Sequence, residues 1–244
     1  MMSTTKIHVD IVQTRPLLSP ESCSSGTFVR GLRKWSPRFA QLALGMLVMT
    51  LGICLVTRAD IGTTPISTVP WVLVGITGMT FGQMTFAVNL LFVTLQLVLL
   101  RRNFKRHNLL QIPGVFLFSC LLDGWMAVLA NAVPQTLVQS WAMSLMGNLV
   151  MAIGIWLQVR SRTFVQPGEG IVMAVAFVTQ KRFSSVKIAN DVTLVALAAV
   201  LGWAMLGRFV GIGPGTLVSA VLVGLLIKWI DALARRFLRL GPVQ

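Results

Sequence analysis

Apolar residues fall into eight stretches along the chain, at about 39–57, 66–79, 83–100, 109–131, 140–159, 168–180, 186–207 and 215–234. Runs as unbroken as 39–56, 84–100 and 192–206 predict helices that face lipid. Six of the stretches have the roughly 17–25 residues that a crossing needs. The second and sixth, at about 13 or 14 residues, fall short, and each begins just after a proline, Pro65 or Pro167. Short segments at corresponding places are the pattern of re-entrant or half-helices.

The correspondence extends along the chain. Leu47-Val48-Met49 with Gly52-Ile53 returns as Leu149-Val150-Met151 with Gly154-Ile155, an offset of 102 residues. At that offset Gly45 meets Gly147, Arg58 meets Arg160, Pro65 meets Pro167 and Phe81 meets Phe183. Further on the offset is 100, pairing Ser119 with Ser219 and Gly124 with Gly224. Residues 38–134 and 139–240 are therefore two copies of one membrane unit, an arrangement typical of transporter-like folds with a site between the halves.

Loop charge decides how many stretches cross. With eight crossings, 11 basic residues fall on the cytoplasmic side and 8 outside, Arg101, Arg102, Lys105 and Arg106 among the latter. With the second and sixth re-entrant, 17 fall inside and only Arg58 and Arg208 outside, Lys187 and Lys228 lying within spans. Positive residues belong inside, so six crossings are expected. Each copy then has three crossings, and the second enters the membrane upside down. The expected fold is all-α: six transmembrane helices plus two short re-entrant or half-helices, a 3+3 inverted repeat with both termini cytoplasmic.

Composition agrees. Of 244 residues, 55% are hydrophobic and 11% charged, more apolar surface than one soluble core of this size can hide. The net charge of +14 would indicate nucleic acid in a soluble protein. Here the basic residues sit in short stretches between apolar runs, which leaves no basic face and no nucleic-acid partner. Residues 1–37 lack a signal-peptide core and read as a mobile cytoplasmic tail, with Arg30, Arg33, Lys34 and Arg38 positioned to hold it inside and to touch anionic lipid. Cys23, Cys54 and Cys120 have no disulfide or zinc spacing, and no cofactor is expected.

Polar residues within the apolar stretches are the candidates for function. The lead-in Arg58-Ala59-Asp60-Ile61-Gly62-Thr63-Thr64-Pro65 predicts a helix start, with Thr64 as cap and Pro65 in the first turn. Its counterpart runs from Arg160 to Gln166-Pro167-Gly168-Glu169. If both dip to mid-membrane, two helix N-termini face each other there, a site suited to an anionic group. Gly62, Thr63, Thr64, Pro65, Gln166, Pro167 and Glu169 would line it. Ordinary surface loops with caps would show the same residues, and Glu169 in a first turn would satisfy the helix dipole alone.

An acid as deep in an apolar helix as Asp123 is costly and is expected to face a partner or a cavity. Lys187 and Asp191, four apart, fit an intrahelical ion pair, and Asn190, Asn89 and Gln83 fit interhelical hydrogen bonds. Gly211-Ile212-Gly213-Pro214-Gly215-Thr216 fits a tight turn or close backbone approach, and without a following Lys-Ser or Lys-Thr it is not a phosphate loop. No catalytic motif is present, and the two histidines, His8 and His107, lie in the tail and a basic loop, so the chain does not read as an enzyme.

Ala59-Asp60-Ile61-Gly62-Thr63-Thr64-Pro65-Ile66-Ser67 resembles the Gly-x-x-Pro lead-in of the YczE/YitT-like bacterial membrane proteins. Lys187-Ile188-Ala189-Asn190-Asp191 and Gly211-Ile212-Gly213-Pro214-Gly215-Thr216-Leu217 carry the likeness into the second half, over roughly residues 38–235. Pro214-Gly215 interrupts that family's Gly-x-Gly-Thr, and of its Gly-Pro-basic-acidic pattern only Pro167 and Glu169 are kept. The resemblance implies a multi-pass protein of the bacterial inner membrane. That family has no firmly established activity, so function is not implied.

Two functions fit. One is a secondary transporter or permease for a small solute, with Asp123, Glu169 and Asp191 as proton- or cation-coupling residues. The other is a non-transporting scaffold or regulatory partner of another protein. The partners expected are the lipid bilayer and a small-molecule or ionic substrate, with a homo-oligomer left open.

Overall fold

The computed structural model describes residues 25–101, 111–161 and 165–238. The basic loop with Arg102, Lys105, Arg106 and His107, the lead-in residues Arg162, Thr163 and Phe164, and the first 24 residues lie outside them. Among the described residues there are eight helices: α1 (Ser25–Arg58), α2 (Pro65–Thr77), α3 (Phe81–Leu100), α4 (Gln111–Val128), α5 (Leu137–Ser161), α6 (Pro167–Thr179), α7 (Phe183–Leu206) and α8 (Pro214–Leu238). Six contain a segment long and apolar enough to span a bilayer, while α2 and α6 are the short exceptions. α1 begins at Ser25, so helix continues back from the first span into residues read from sequence as tail.

The two copies fold alike. α2 and α6 are both 13 residues long and begin at equivalent prolines. They end at equivalent threonines whose hydroxyls bond equivalent carbonyls, Thr77 to Leu73 and Thr179 to Val175. Proline suits the start because the first turn has no intrahelical use for its missing N–H. α3 and α7 open on equivalent phenylalanines, Phe81 and Phe183.

α1 and α5 pack most extensively, and glycine is what lets them. A Cβ on Gly52 would run into the backbone of Met151, and one on Gly154 into the backbone of Met49. Gly45 abuts Gln158, and Gly147 abuts Val56. As position rises along α1 from Gly45 to Val56, its partner falls along α5 from Gln158 to Gly147. The helices are therefore antiparallel, and each contact recurs with the copies exchanged. Small residues at such a crossing bring backbones close where lipid supplies no hydrophobic drive.

That direction constrains the path of the chain. For α5 to run against α1, an even number of crossings must separate them. α3 and α4 supply two; a crossing by α2 would make three and turn α5 parallel. The contacts between elements follow the same exchange. α1 packs on α4 as α5 does on α8, and each short helix crosses to the other copy, α2 packing on α7 and α6 on α3. One core joins Val69, Val72, Phe92, Ile171, Val172 and Leu194, from α2, α3, α6 and α7. A second gathers Met46, Met49, Ile53, Phe118, Leu122 and Met151 at the α1–α4–α5 junction. The exchange is broken in two places: α3 and α4 pack together whereas α7 and α8 scarcely touch, and α2 reaches α8 whereas α6 scarcely touches α4.

Candidate functional site

The first turns of the two short helices meet. Ile66 of α2 lies where a side chain on Gly168 of α6 would stand. These are equivalent positions of the two copies, so this contact and the α1–α5 crossing lie on one pseudo-two-fold axis. The two helix starts predicted at Pro65 and Pro167 are therefore in contact.

Each first turn is held separately. Ser67 N–H bonds the Thr64 carbonyl at 2.8 Å, and Glu169 N–H bonds the Gln166 carbonyl at 3.0 Å. Thr64 occupies the cap position without capping; its hydroxyl donates instead to Ser67 Oγ at 2.9 Å, because the backbone has already turned Ser67 N–H inward. On α6, buried Gln96 of α3 donates to the Pro167 carbonyl at 3.0 Å, and the lack of a side chain on Gly170 makes room for its amide.

The lead-in of α2 is clasped by the lead-in of α8. Thr63 N–H bonds the Gly211 carbonyl and Gly215 N–H bonds the Ile61 carbonyl, both at 2.9 Å. Gly62, at φ 121°, lies against Thr216, and a Cβ on Gly213 would strike the Ile61 carbonyl. The Thr63 hydroxyl shares a hydrogen bond of 2.8 Å with Thr57. The glycine-rich segment at 211–216 is thus a close backbone approach. Gly62 and Thr63 serve this clasp, while Gln166 and Pro167 face open space.

That space is a cavity of about 30 Å³ between α1, α2, α3, α4 and the start of α6. Its wall is mostly apolar, with Met49, Ile53, Phe92 and Phe118, and its polar members are Ser67, Thr85, Asn89 and Gln166. The lining residues of α1, α3 and α4 are central in their spans, so the cavity lies near mid-membrane. Sequence reasoning had no signal for Thr85, an ordinary residue in an apolar run. Asn89 was expected to bond another helix; it bonds the Thr85 carbonyl on its own helix at 2.8 Å. Gln83, also expected between helices, closes a capping box with Thr80 at the start of α3.

The three acids are not brought together. Asp123 of α4 accepts from Thr80 Oγ1 at 2.7 Å and from Gly82 N–H at 2.6 Å, and so sits on the N-terminus of α3. Its partner is a helix end rather than a cation. Glu169 and Asp191 do share a neighbourhood: Glu169 feels the charges of both Lys187 and Asp191, and Lys187 pairs with Asp191 at 3.6 Å one turn along α7, as the spacing predicts. By the 102-residue offset, Glu169, Lys187 and Asp191 stand where the first copy has Ser67, Thr85 and Asn89. The same three positions are thus neutral in the first copy and charged in the second.

Six apolar spans and two short helices meeting at their N-termini define a multi-pass helical membrane protein. The chain belongs to DUF6198, a family of unknown function whose model matches residues 36–232. No curated protein and no solved structure is significantly similar to it.

Proposed function

We propose that the protein is a secondary transporter or permease for a small solute in a bacterial inner membrane, with both termini cytoplasmic and α2 and α6 re-entrant. The observation that carries this reading is the meeting of Ile66 and Gly168 on the axis beside a mid-membrane cavity. Half-helices from opposite sides that end at one central site are the arrangement on which alternating access works. The distribution of basic residues supports the orientation, and the likeness to YczE/YitT-like proteins supports the location. Glu169 and Asp191 are the coupling candidates. Asp123 is a poorer one, because its carboxylate is committed to α3.

The test is uptake by proteoliposomes of a labelled panel of amino acids, sugars, polyols and organic acids, with and without a proton gradient. Saturable uptake whose gradient-driven part is lost in Glu169→Gln, in a variant that keeps its thermal transition, supports the reading. Absence of saturable uptake across the panel sinks it. The alternative, a scaffold or regulatory partner, predicts that Glu169→Gln is silent and that only surface substitutions reduce recovery of a bound protein.

A further inference from the structure

Thr85 is out of keeping with the other helical threonines. Thr50, Thr57, Thr77, Thr94, Thr179 and Thr193 each turn the hydroxyl back to the carbonyl four residues earlier, at 2.7–2.9 Å. That bond is always available in a helix and costs little to make. Thr85 does not make it. Its side chain is on the cavity wall, the residue is 7% exposed, and Oγ1 has no hydrogen-bond partner. A buried hydroxyl left unpaired is destabilising, and a partner within the cavity would offset that.

The other polar groups on the wall are of the same kind. Ser67 has a hydroxyl proton to give after accepting from Thr64, and the amides of Asn89 and Gln166 can both donate and accept. Among the described residues the wall holds no charged side chain. The helix ends offer an anion few donors: Pro65 and Pro167 have no N–H, the N–H groups of Ser67, Glu169 and Gly170 are bonded to the carbonyls of their own cap residues, and only Ile66 and Gly168 keep theirs. An ion placed here would be desolvated without a counter-charge. Charge is concentrated instead at the equivalent place in the second copy, as Glu169, Lys187 and Asp191.

We infer that the cavity is a binding site for a small uncharged solute that both donates and accepts hydrogen bonds, of the amide or hydroxyl class, with Thr85 as a direct contact. Its place in a transport cycle rests on the proposed function; the binding itself does not. The solute is held on the neutral side of the axis.

Formamide and formate have the same size and differ in charge, so the test uses that pair as probes. Binding to the purified protein in nanodiscs is read by saturation-transfer NMR of the formyl proton, for the wild type, Thr85→Val and Thr85→Ser. The expected result is saturable formamide binding, unchanged in Thr85→Ser and weakened about tenfold in Thr85→Val, with no binding of formate. Thr85→Val should keep the thermal midpoint or raise it, since it removes an unpaired hydroxyl. Formate binding that responds to Thr85→Val would overturn the neutral class, and no Thr85-dependent signal from either probe would overturn the site. Formamide binding in a protein that moves no solute would leave the site standing and remove only the transporter reading.

Discussion

Ile66 and Gly168 occupy one position of a duplicated unit, and the side chain of the first fills the space the second leaves empty. Two copies of a bulky residue cannot both stand on a two-fold axis, so one has to be small. The obstacle to a side chain at Gly168 is the Cδ1 end of Ile66, which is flexible. Gly168→Ala should therefore change stability by less than about 1 kcal/mol, helix propensity offsetting the crowding. Gly168→Leu should cost about 1–3 kcal/mol, and Ile66→Ala should restore most of it. Thermal unfolding in detergent of the two single variants and the double checks this; no rescue would mean the two residues do not share the axis.

The crossing of α1 and α5 is less forgiving. Here the atoms in the way of a new Cβ are backbone atoms of Met151 and Met49, which can move only if the helices part. Gly52→Ala and Gly154→Ala should each lower stability by about 1–3 kcal/mol and by similar amounts, because the contacts are reciprocal. Equal stability of either variant and the wild type would contradict the close packing.

Whether the short helices cross decides which loops share a side. Gln135, between α4 and α5, and Gln180, between α6 and α7, are separated by one crossing if α6 is re-entrant and by two if it spans. Single cysteines at the two sites, on a background without other cysteines, should label from opposite faces of the membrane. Met79, between α2 and α3, should label from the same face as Gln135. Labelling of Gln135 and Gln180 from one face would mean that α6 crosses.

Much of this architecture could be read from sequence, for a physical reason. Span length, the repeat offset and the placement of basic residues are set by the bilayer, and the bilayer acts on each segment locally. The short helices were marked by Pro65 and Pro167 and the close approach at 211–216 by its glycines, since backbone needs restrict residue type. What escaped was side-chain commitment. Nothing around Thr85 distinguishes it from Thr94, which makes the ordinary bond to its own helix. Likewise Gly62 and Thr63 looked like site residues because they precede a helix, but the backbone of Thr63 and of Ile61 is bonded to Gly211 and Gly215, some 150 positions away. Pairings at that separation leave no trace in local pattern.

Asp123 illustrates the same point and supports a prediction. Acids within membrane spans invite a coupling role, yet this half-buried carboxylate makes two short bonds to the start of α3, where the helix dipole favours a negative charge. Asp123→Asn retains the shape and removes the charge. It should lower stability by about 1–3 kcal/mol while leaving the response of transport to a proton gradient unchanged. Gly82→Ala should reproduce the stability loss, because its Cβ would press on the same carboxylate and on the Ser119 carbonyl. A stable Asp123→Asn that has lost its gradient response would return Asp123 to the coupling residues.

Glu169 should behave in the opposite way. It stands in the first turn of α6, with Lys187 and Asp191 the charges it feels most, and by symmetry it faces the axis from the side opposite the neutral cavity. Two acids and one lysine leave this site a negative charge in excess when all are ionised, which a bound cation would balance. Glu169→Gln removes that excess. Accumulation driven by a proton gradient should then fall at least tenfold, while exchange of solute at equal pH on both sides continues, since the neutral cavity is untouched. Loss of both together with the thermal transition would show that Glu169 does no more than stabilise the end of its helix.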